Sequence, residues 1–267
     1  ATMLRTLAAA TAVFAAGYAA ALLQLARRRR REAIEMARRS VAAAAPGDDV
    51  GTVSVVARGD RSFGVSAHDT ALVVIDMQTD FLSAEGRIGR HYQGADVRES
   101  LEATTAKVAQ LLQAARRAGL TIAHSRSHRY AASVRLDLVG TGDEGYELAP
   151  PVRALPGEIV VDKWTFGAFA STSLEAELRQ RGVKRILLAG VLTNVCVFQT
   201  AVQAVDRFFR VCLVDDACGA FRSDWHEKAV ALMNEPQIGA GHASKPTGLY
   251  FAEVASVSDV EAALAAL

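Results

Sequence analysis

Residues 159–196 read IVVDKWTFGAFASTSLEAELRQRGVKRILLAGVLTNVC, and this stretch decides the fold. It holds two apolar runs, Ile159–Val161 and Arg185–Ala189, separated by a segment of helical character that closes near Gly182. Continuous apolar runs bounded by polar residues are typical of strands buried on both faces of a parallel sheet. The order strand, helix, strand therefore predicts a β-α-β unit with two parallel strands.

The same alternation extends in both directions along the chain. Further strands are predicted at residues 71–75, 121–123 and 211–214, and further helices at 100–118, 194–208 and 224–233. Repeated β-α units predict an α/β domain, with a mainly parallel sheet and helices on both faces. We expect this three-layer domain to occupy residues 70–267. The long irregular stretch between the second and third strands is a candidate wall of the active site.

The N-terminal segment has a different character. Residues 6–26 carry no charge and are followed by the unbroken basic run Arg27–Arg31. About 20 uncharged residues are enough for a helix to cross a membrane, and basic residues flank such spans on the non-translocated side. We therefore expect residues 1–45 to form a transmembrane-type anchor helix, and residues 46–69 a linker with one edge strand at most. A removable targeting peptide and a helix packed on a surface or in a bundle are the competing interpretations.

The anchor interpretation places the protein in the mitochondrial inner membrane, with the domain on the matrix side. A plastid membrane, or a soluble protein after removal of a targeting peptide, is the alternative.

The formal net charge of +1 argues against a nucleic-acid partner. Three cysteines without Cys-x-x-Cys spacing indicate reduced thiols, with Cys212 inside an apolar strand and Cys218 in a loop.

Three strand ends carry residues with useful chemistry. Asp76 follows the strand 71–75, Lys163 follows 159–161, and Cys196 follows 185–189 at the start of a helix. Ligands of open α/β sheets bind beyond the carboxyl ends of the strands. A helix N-terminus and a neighbouring lysine favour a thiolate, and a carboxylate can act as its general base. Each residue alone also fits packing, capping or a solvated charge.

Several segments together resemble the isochorismatase-like hydrolase family: TALVVIDMQTDFL from residue 70, residues 161–196, and CVFQTAVQAVDR and VCLVDDACGAF after them. The resemblance implies an Asp76–Lys163–Cys196 catalytic triad and a cis peptide bond between Val191 and Leu192. It also implies that the N–H groups of Leu192 and Cys196 bind the substrate carbonyl oxygen. The implied reaction is hydrolysis of a non-peptide C–N bond through a thioester.

The presence of the cysteine favours the amidase and ureido-hydrolase branch of the family, because cleavage of the isochorismate vinyl ether needs no thiol nucleophile. Nicotinamidase-like members carry an Asp-x-His metal motif where this chain has Arg126-x-His128, so we expect no metal and no cofactor. The candidate substrate-binding residues are Phe81, Arg126, His128, Trp164 and Phe166. A solvated Arg126, and aromatic side chains in the core or an interface, are the alternatives.

Two functions follow from these features. The first is a membrane-tethered cysteine hydrolase acting on a small amide or ureido compound. The second is an accessory subunit of a mitochondrial inner-membrane complex of the respiratory type, built on a recruited hydrolase domain. In either case residues 6–26 contact the membrane, and homo-oligomers or contacts with other subunits remain open.

Overall fold

The computed structural model describes residues 52–59, 61–91, 94–128, 144–235 and 250–267, together with Gln24 and Arg28, both helical. The chain divides after Asp48, and the unit Asp49–Leu267 contains the fold. Apart from Gln24, the predicted anchor at residues 6–26 lies outside the described residues. Within the described ranges, no helix has both the length and the apolar character needed to cross a membrane.

The core of the molecule is a six-stranded sheet. Its strands are β3 (Thr70–Ile75), β4 (Thr121–Ser127), β5 (Ile159–Lys163), β6 (Arg185–Val191), β7 (Arg210–Gly219) and β8 (Glu253–Ala255). They lie in the order β5-β4-β3-β6-β7-β8, and neighbouring strands are parallel throughout. This confirms the predicted mainly parallel sheet.

Helices cover both faces of the sheet, as predicted. They are α1 (Thr79–Leu82), α2 (Ala95–Arg117), α3 (Leu174–Gln180), α4 (Phe198–Asp206), α5 (Ser223–Asn234) and α6 (Val257–Leu264). Side chains of β3 alternate between two cores because successive residues of a strand point to opposite faces. Leu72 and Val74 pack with α2 and α6, whereas Val73 and Ile75 pack with α3, α4 and α5.

A β-hairpin occupies the region where the sequence indicated a linker. Strands β1 (Val53–Ala57) and β2 (Arg61–Val65) pair antiparallel, and Gly59 in their turn has φ = 72°. Val55, Phe63 and Val65 are fully buried in the same core as α2 and α6. Alternating apolar residues give this short hairpin one face that packs on the domain, so it belongs to the domain and is not a spacer.

Candidate active site

The sheet brings Asp76, Lys163 and Cys196 together at the carboxyl ends of β3, β5 and β6. Asp76 and Lys163 have no exposed surface, and Cys196 is 3% exposed. Burying two charged side chains is unfavourable unless they pair with each other and satisfy their remaining hydrogen bonds. The contacts of these residues meet that requirement.

Lys163 links the other two residues. Its Nζ lies 2.8 Å from Asp76 Oδ2 and 3.5 Å from Cys196 Sγ. It also donates a hydrogen bond to the carbonyl oxygen of Thr165 at 3.1 Å. A single ammonium group therefore contacts both the carboxylate and the sulfur, in a site from which water is largely excluded.

Two serines of β4 complete the hydrogen bonding of Asp76. Ser125 Oγ donates to Asp76 Oδ1 at 2.7 Å, and Ser127 Oγ donates to Asp76 Oδ2 at 2.6 Å. Ser127 Oγ also accepts a hydrogen bond from Lys163 Nζ at 2.8 Å. Neither serine is among the residues predicted from the sequence. The sequence signal that could have identified them is their spacing of two residues at the carboxyl end of a strand next to β3, because this spacing places both side chains on one face of the strand.

Gln78 fixes the backbone around this cluster. Its Oε1 accepts from the Ser127 N–H at 2.6 Å, and its Nε2 donates to the carbonyl oxygens of Ser127 and Tyr146. Asp76 itself has φ = 50°. Aspartate adopts this left-handed region more readily than most residues, because its short polar side chain can form local hydrogen bonds.

Cys196 lies in a short π-helical segment, Thr193–Val197, between β6 and α4. The preceding Val191–Leu192 peptide bond is cis, at the position implied by the family resemblance. The Leu192 carbonyl oxygen accepts hydrogen bonds from the N–H groups of Val195 and Val197, which closes this segment on itself. The region predicted as one helix from residue 194 therefore begins with π geometry, and α4 begins only at Phe198.

Arg126 already has protein partners. It donates two hydrogen bonds to Asp162, at 2.8 and 3.2 Å, and one to Glu147 at 3.1 Å. Its guanidinium also lies 4.6 Å from the centre of the Tyr146 ring. Burial raises the pKa of Asp162, but the hydrogen bonds from Arg126 and Tyr146, together with the charge of Arg126, hold that pKa below its usual value. Arg126 is thus held by Asp162 and Glu147 in this structure.

The other candidate substrate-binding residues divide into two groups. His128 lies beside Trp164, with ring centres 3.9 Å apart, and the backbone N–H of His128 donates to the Lys163 carbonyl oxygen at 2.9 Å. The two rings pack against each other just after β4 and β5, and Trp164 is half exposed. Phe166 is partly buried against both cores, and Phe81 is buried in the core shared with α2. The structure thus places Phe81 in packing.

The residues that the structure describes contain no cluster of three or more His, Cys, Asp or Glu side chains arranged to hold a metal ion. His124, the other histidine of β4, is fully buried, and its Nε2 lies 3.1 Å from Glu158. Burial lowers the pKa of His124, although Glu158 opposes this effect.

Cys212 and Cys218 are also buried, and Cys218, expected in a loop, lies within β7.

Known proteins resemble this chain in sequence and in fold. A family model described as the isochorismatase domain matches residues 70–245. The chain is 30% identical over 176 residues to a protein named ureidoacrylate amidohydrolase RutB from Variovorax paradoxus, a match that covers 57% of this chain and 69% of that protein. It is also 33% identical over 154 residues to a protein named secreted isochorismatase effector Isc1 from Verticillium dahliae, covering 58% and 74% of the two chains.

Among solved structures, the fold matches a nicotinamidase/pyrazinamidase PncA from Bacillus subtilis with a TM-score of 0.58 and 25% identity. That match covers 70% of this chain and all of the other. A structure titled N-carbamoylsarcosine amidase from Thermoplasma acidophilum matches with a TM-score of 0.56 and 24% identity, covering 71% of this chain and 96% of that one.

Proposed function

Because the chain belongs to the isochorismatase family, we propose that it is a cysteine hydrolase that cleaves a C–N bond of a small amide or ureido compound. The observation that carries the proposal is the position of the Lys163 ammonium, 2.8 Å from Asp76 Oδ2 and 3.5 Å from Cys196 Sγ. Thiolates are stabilised by neighbouring cations, and the thiolate is the nucleophilic form of cysteine.

In the proposed mechanism the thiol proton of Cys196 passes to the Asp76 carboxylate, and Lys163 compensates the charge on sulfur. The sulfur attacks the carbonyl carbon, and the N–H groups of Leu192 and Cys196 stabilise the oxyanion that forms. The C–N bond then breaks, and the proton held by Asp76 goes to the leaving nitrogen. Ammonia or an amine leaves, and the acyl group stays on sulfur as a thioester.

A water molecule completes the reaction. It gives one proton to Asp76, and its oxygen attacks the thioester carbon. The C–S bond breaks, Cys196 leaves as a thiolate beside Lys163, the proton on Asp76 returns to the sulfur, and the acid product departs. Asp76 thus acts as a general base in both halves, while Lys163 stays protonated throughout. Because both groups are buried and hydrogen bonded, they need little reorganisation during either step.

The substrate class is proposed from the chemistry of the site together with the names of its relatives. A ureidoacrylate amidohydrolase and a nicotinamidase both cleave bonds between a carbonyl carbon and nitrogen, as their names state. The rings of His128 and Trp164, which pack against each other just after β4 and β5, are proposed to offer a flat surface to a planar amide or ureido group. Since Arg126 is held by Asp162 and Glu147, we propose a substrate whose binding does not depend on pairing with that arginine.

The test is turnover of a defined panel by the purified protein. The panel contains ureidoacrylate, an N-carbamoyl amino acid, nicotinamide, biuret and isochorismate, with release of ammonia, amine or pyruvate as the readout. We expect ammonia or amine from at least one C–N substrate, and a decrease of at least about a thousandfold in kcat for Cys196→Ala. Cys212→Ala is the matched control, because Cys212 is fully buried in β7 away from the strand ends.

Two results would overturn the proposal. One is undiminished C–N cleavage by Cys196→Ala, which would exclude a covalent mechanism on this sulfur. The other is hydrolysis of isochorismate alone, which would assign a vinyl ether as the substrate.

The membrane anchor, the mitochondrial location and the accessory-subunit role stay predictions from the sequence. Fractionation of the full chain, followed by extraction of membranes at alkaline pH, would test the anchor.

A further inference from the structure

A hydrogen bond joins α5 to the segment that carries Cys196. Nδ1 of His226, in the first turn of α5, lies 2.9 Å from Oγ1 of Thr193. Thr193 has no exposed surface and is the first residue of the π-helical segment, directly after the cis bond and Leu192. Buried hydroxyl groups are nearly always hydrogen bonded, because a missing partner leaves them without compensation for lost water.

Thr193 is well placed to control the geometry of this segment. Its carbonyl oxygen accepts a hydrogen bond from the N–H of Phe198, and this bond links the two ends of the segment that contains Cys196. Its side chain holds the start of the segment to α5. A rotation of Thr193 would therefore move Leu192, whose N–H is one of the proposed oxyanion donors, relative to Cys196.

We propose that His226 is a positioning residue, which holds the Thr193 hydroxyl and so fixes the segment that carries Cys196 and the oxyanion donors. This inference rests on the proposed function of the site. His226 does not belong to the Asp76–Lys163–Cys196 cluster, and it acts through Thr193.

The surroundings of His226 favour a neutral ring. Burial lowers the pKa of His226, because the charged form loses hydration. Three charged groups act on the ring in addition: Asp215 of β7 raises the pKa, Arg58 of the hairpin turn lowers it, and Glu227 of α5 raises it. Asp215 and Arg58 form an ion pair with each other, so their effects on the ring partly cancel. A neutral imidazole can accept a hydrogen bond from the Thr193 hydroxyl.

The experiment compares His226→Ala and His226→Asn in the full chain. An asparagine amide can reach Thr193 from nearly the position of Nδ1, whereas alanine cannot. We measure kcat and KM with a substrate from the panel, and the rate of Cys196 alkylation by iodoacetamide, followed by mass spectrometry of the Cys196 peptide. His68→Ala is the control, because His68 is an exposed histidine before β3.

For His226→Ala we expect kcat and the alkylation rate to fall about fivefold, the factor of one neutral hydrogen bond, with KM unchanged. His226→Asn should keep both within about twofold of the wild type. Thr193→Val should reproduce the effect of His226→Ala, and the double variant should lose no more than either single variant, since both remove the same interaction.

Three results would overturn the proposal: unchanged kcat and alkylation in His226→Ala, equal losses in the alanine and asparagine variants, or additive losses in the double variant. Increased alkylation of Cys212 and Cys218 would indicate general loosening and would also count against it. Failure of the proposed function is distinguishable, because it appears as turnover that survives Cys196→Ala. The alkylation ratios would still report the position of Cys196.

Discussion

Removal of the Ser127 hydroxyl provides the sharpest test of how the buried charges are held. Ser127 Oγ donates to Asp76 Oδ2 at 2.6 Å and accepts from Lys163 Nζ at 2.8 Å, so Ser127→Ala removes two hydrogen bonds to charged groups. Within the described residues, Ser125 Oγ bonds to Asp76 Oδ1 alone, at 2.7 Å, so Ser125→Ala removes one. The two substitutions are matched in size, strand and burial, and they differ in contact with Lys163.

The expected magnitudes follow from this difference. A hydrogen bond to a charged group contributes about 1.5 kcal/mol at the lower end of the measured range. Ser127→Ala should then cost about 3 kcal/mol, or roughly a hundredfold in kcat/KM, and Ser125→Ala roughly tenfold. The direct contact between Lys163 and Asp76, at 2.8 Å, remains in both variants, so neither should be inactive.

The assay is kcat/KM for the best substrate of the panel, with thermal unfolding of each variant to show that it is folded at the assay temperature. An equal or greater loss in Ser125→Ala would refute the reasoning, because contact with Lys163 would then carry no weight. Turnover of Ser127→Ala within about twofold of the wild type would refute it as well.

Two further predictions concern stability. At Gly190, where φ is 119°, an added Cβ would lie 2.2 Å from the carbonyl oxygen of Ile75. Gly190→Ala should therefore destabilise the protein by at least about 3 kcal/mol in urea unfolding. Gly157→Ala is the control, because Gly157 lies in open space at φ = 92°, and it should cost about 1 kcal/mol. Equal costs in the two variants would contradict this account. Because Arg126 lowers the pKa of Asp162, this pair stabilises the fold above the unfolded-state pKa of about 4, and the stabilisation is lost as pH falls through the lower folded-state pKa. Urea unfolding of wild type and Arg126→Met should thus differ most at neutral pH and converge in acid, and a difference that grows in acid would refute the assignment.

Much of the fold could be predicted from the sequence, because the strands of a parallel sheet are buried on both faces and are therefore apolar throughout. This apolar pattern is present at residues 71–75 and 185–189, and the sheet contains both strands as predicted. The hairpin from Val53 to Val65 was harder to predict. Its two strands have only five residues each, and the buried face appears only when β1 and β2 pair on the domain.

The residues proposed for catalysis were visible in the sequence for a related reason. Carboxyl ends of parallel strands meet at one edge of the sheet, so Asp76, Lys163 and Cys196 could be grouped from their places after three apolar runs. What the sequence could not decide is which side chains hold them. In the sequence, nothing distinguishes Ser125 and Ser127 from other polar residues. Their role follows from the pairing of β4 with β3, in which Ala71 lies opposite Thr121.

The sequence by itself thus determined the α/β architecture and the chemistry available at the strand ends, because both depend on residue type and local order. Only the tertiary structure decided that Phe81 packs in the core, that Arg126 is held by Asp162 and Glu147, and that His226 reaches Thr193. These contacts join residues distant in the chain. They are set by strand order and helix packing, which no local pattern specifies.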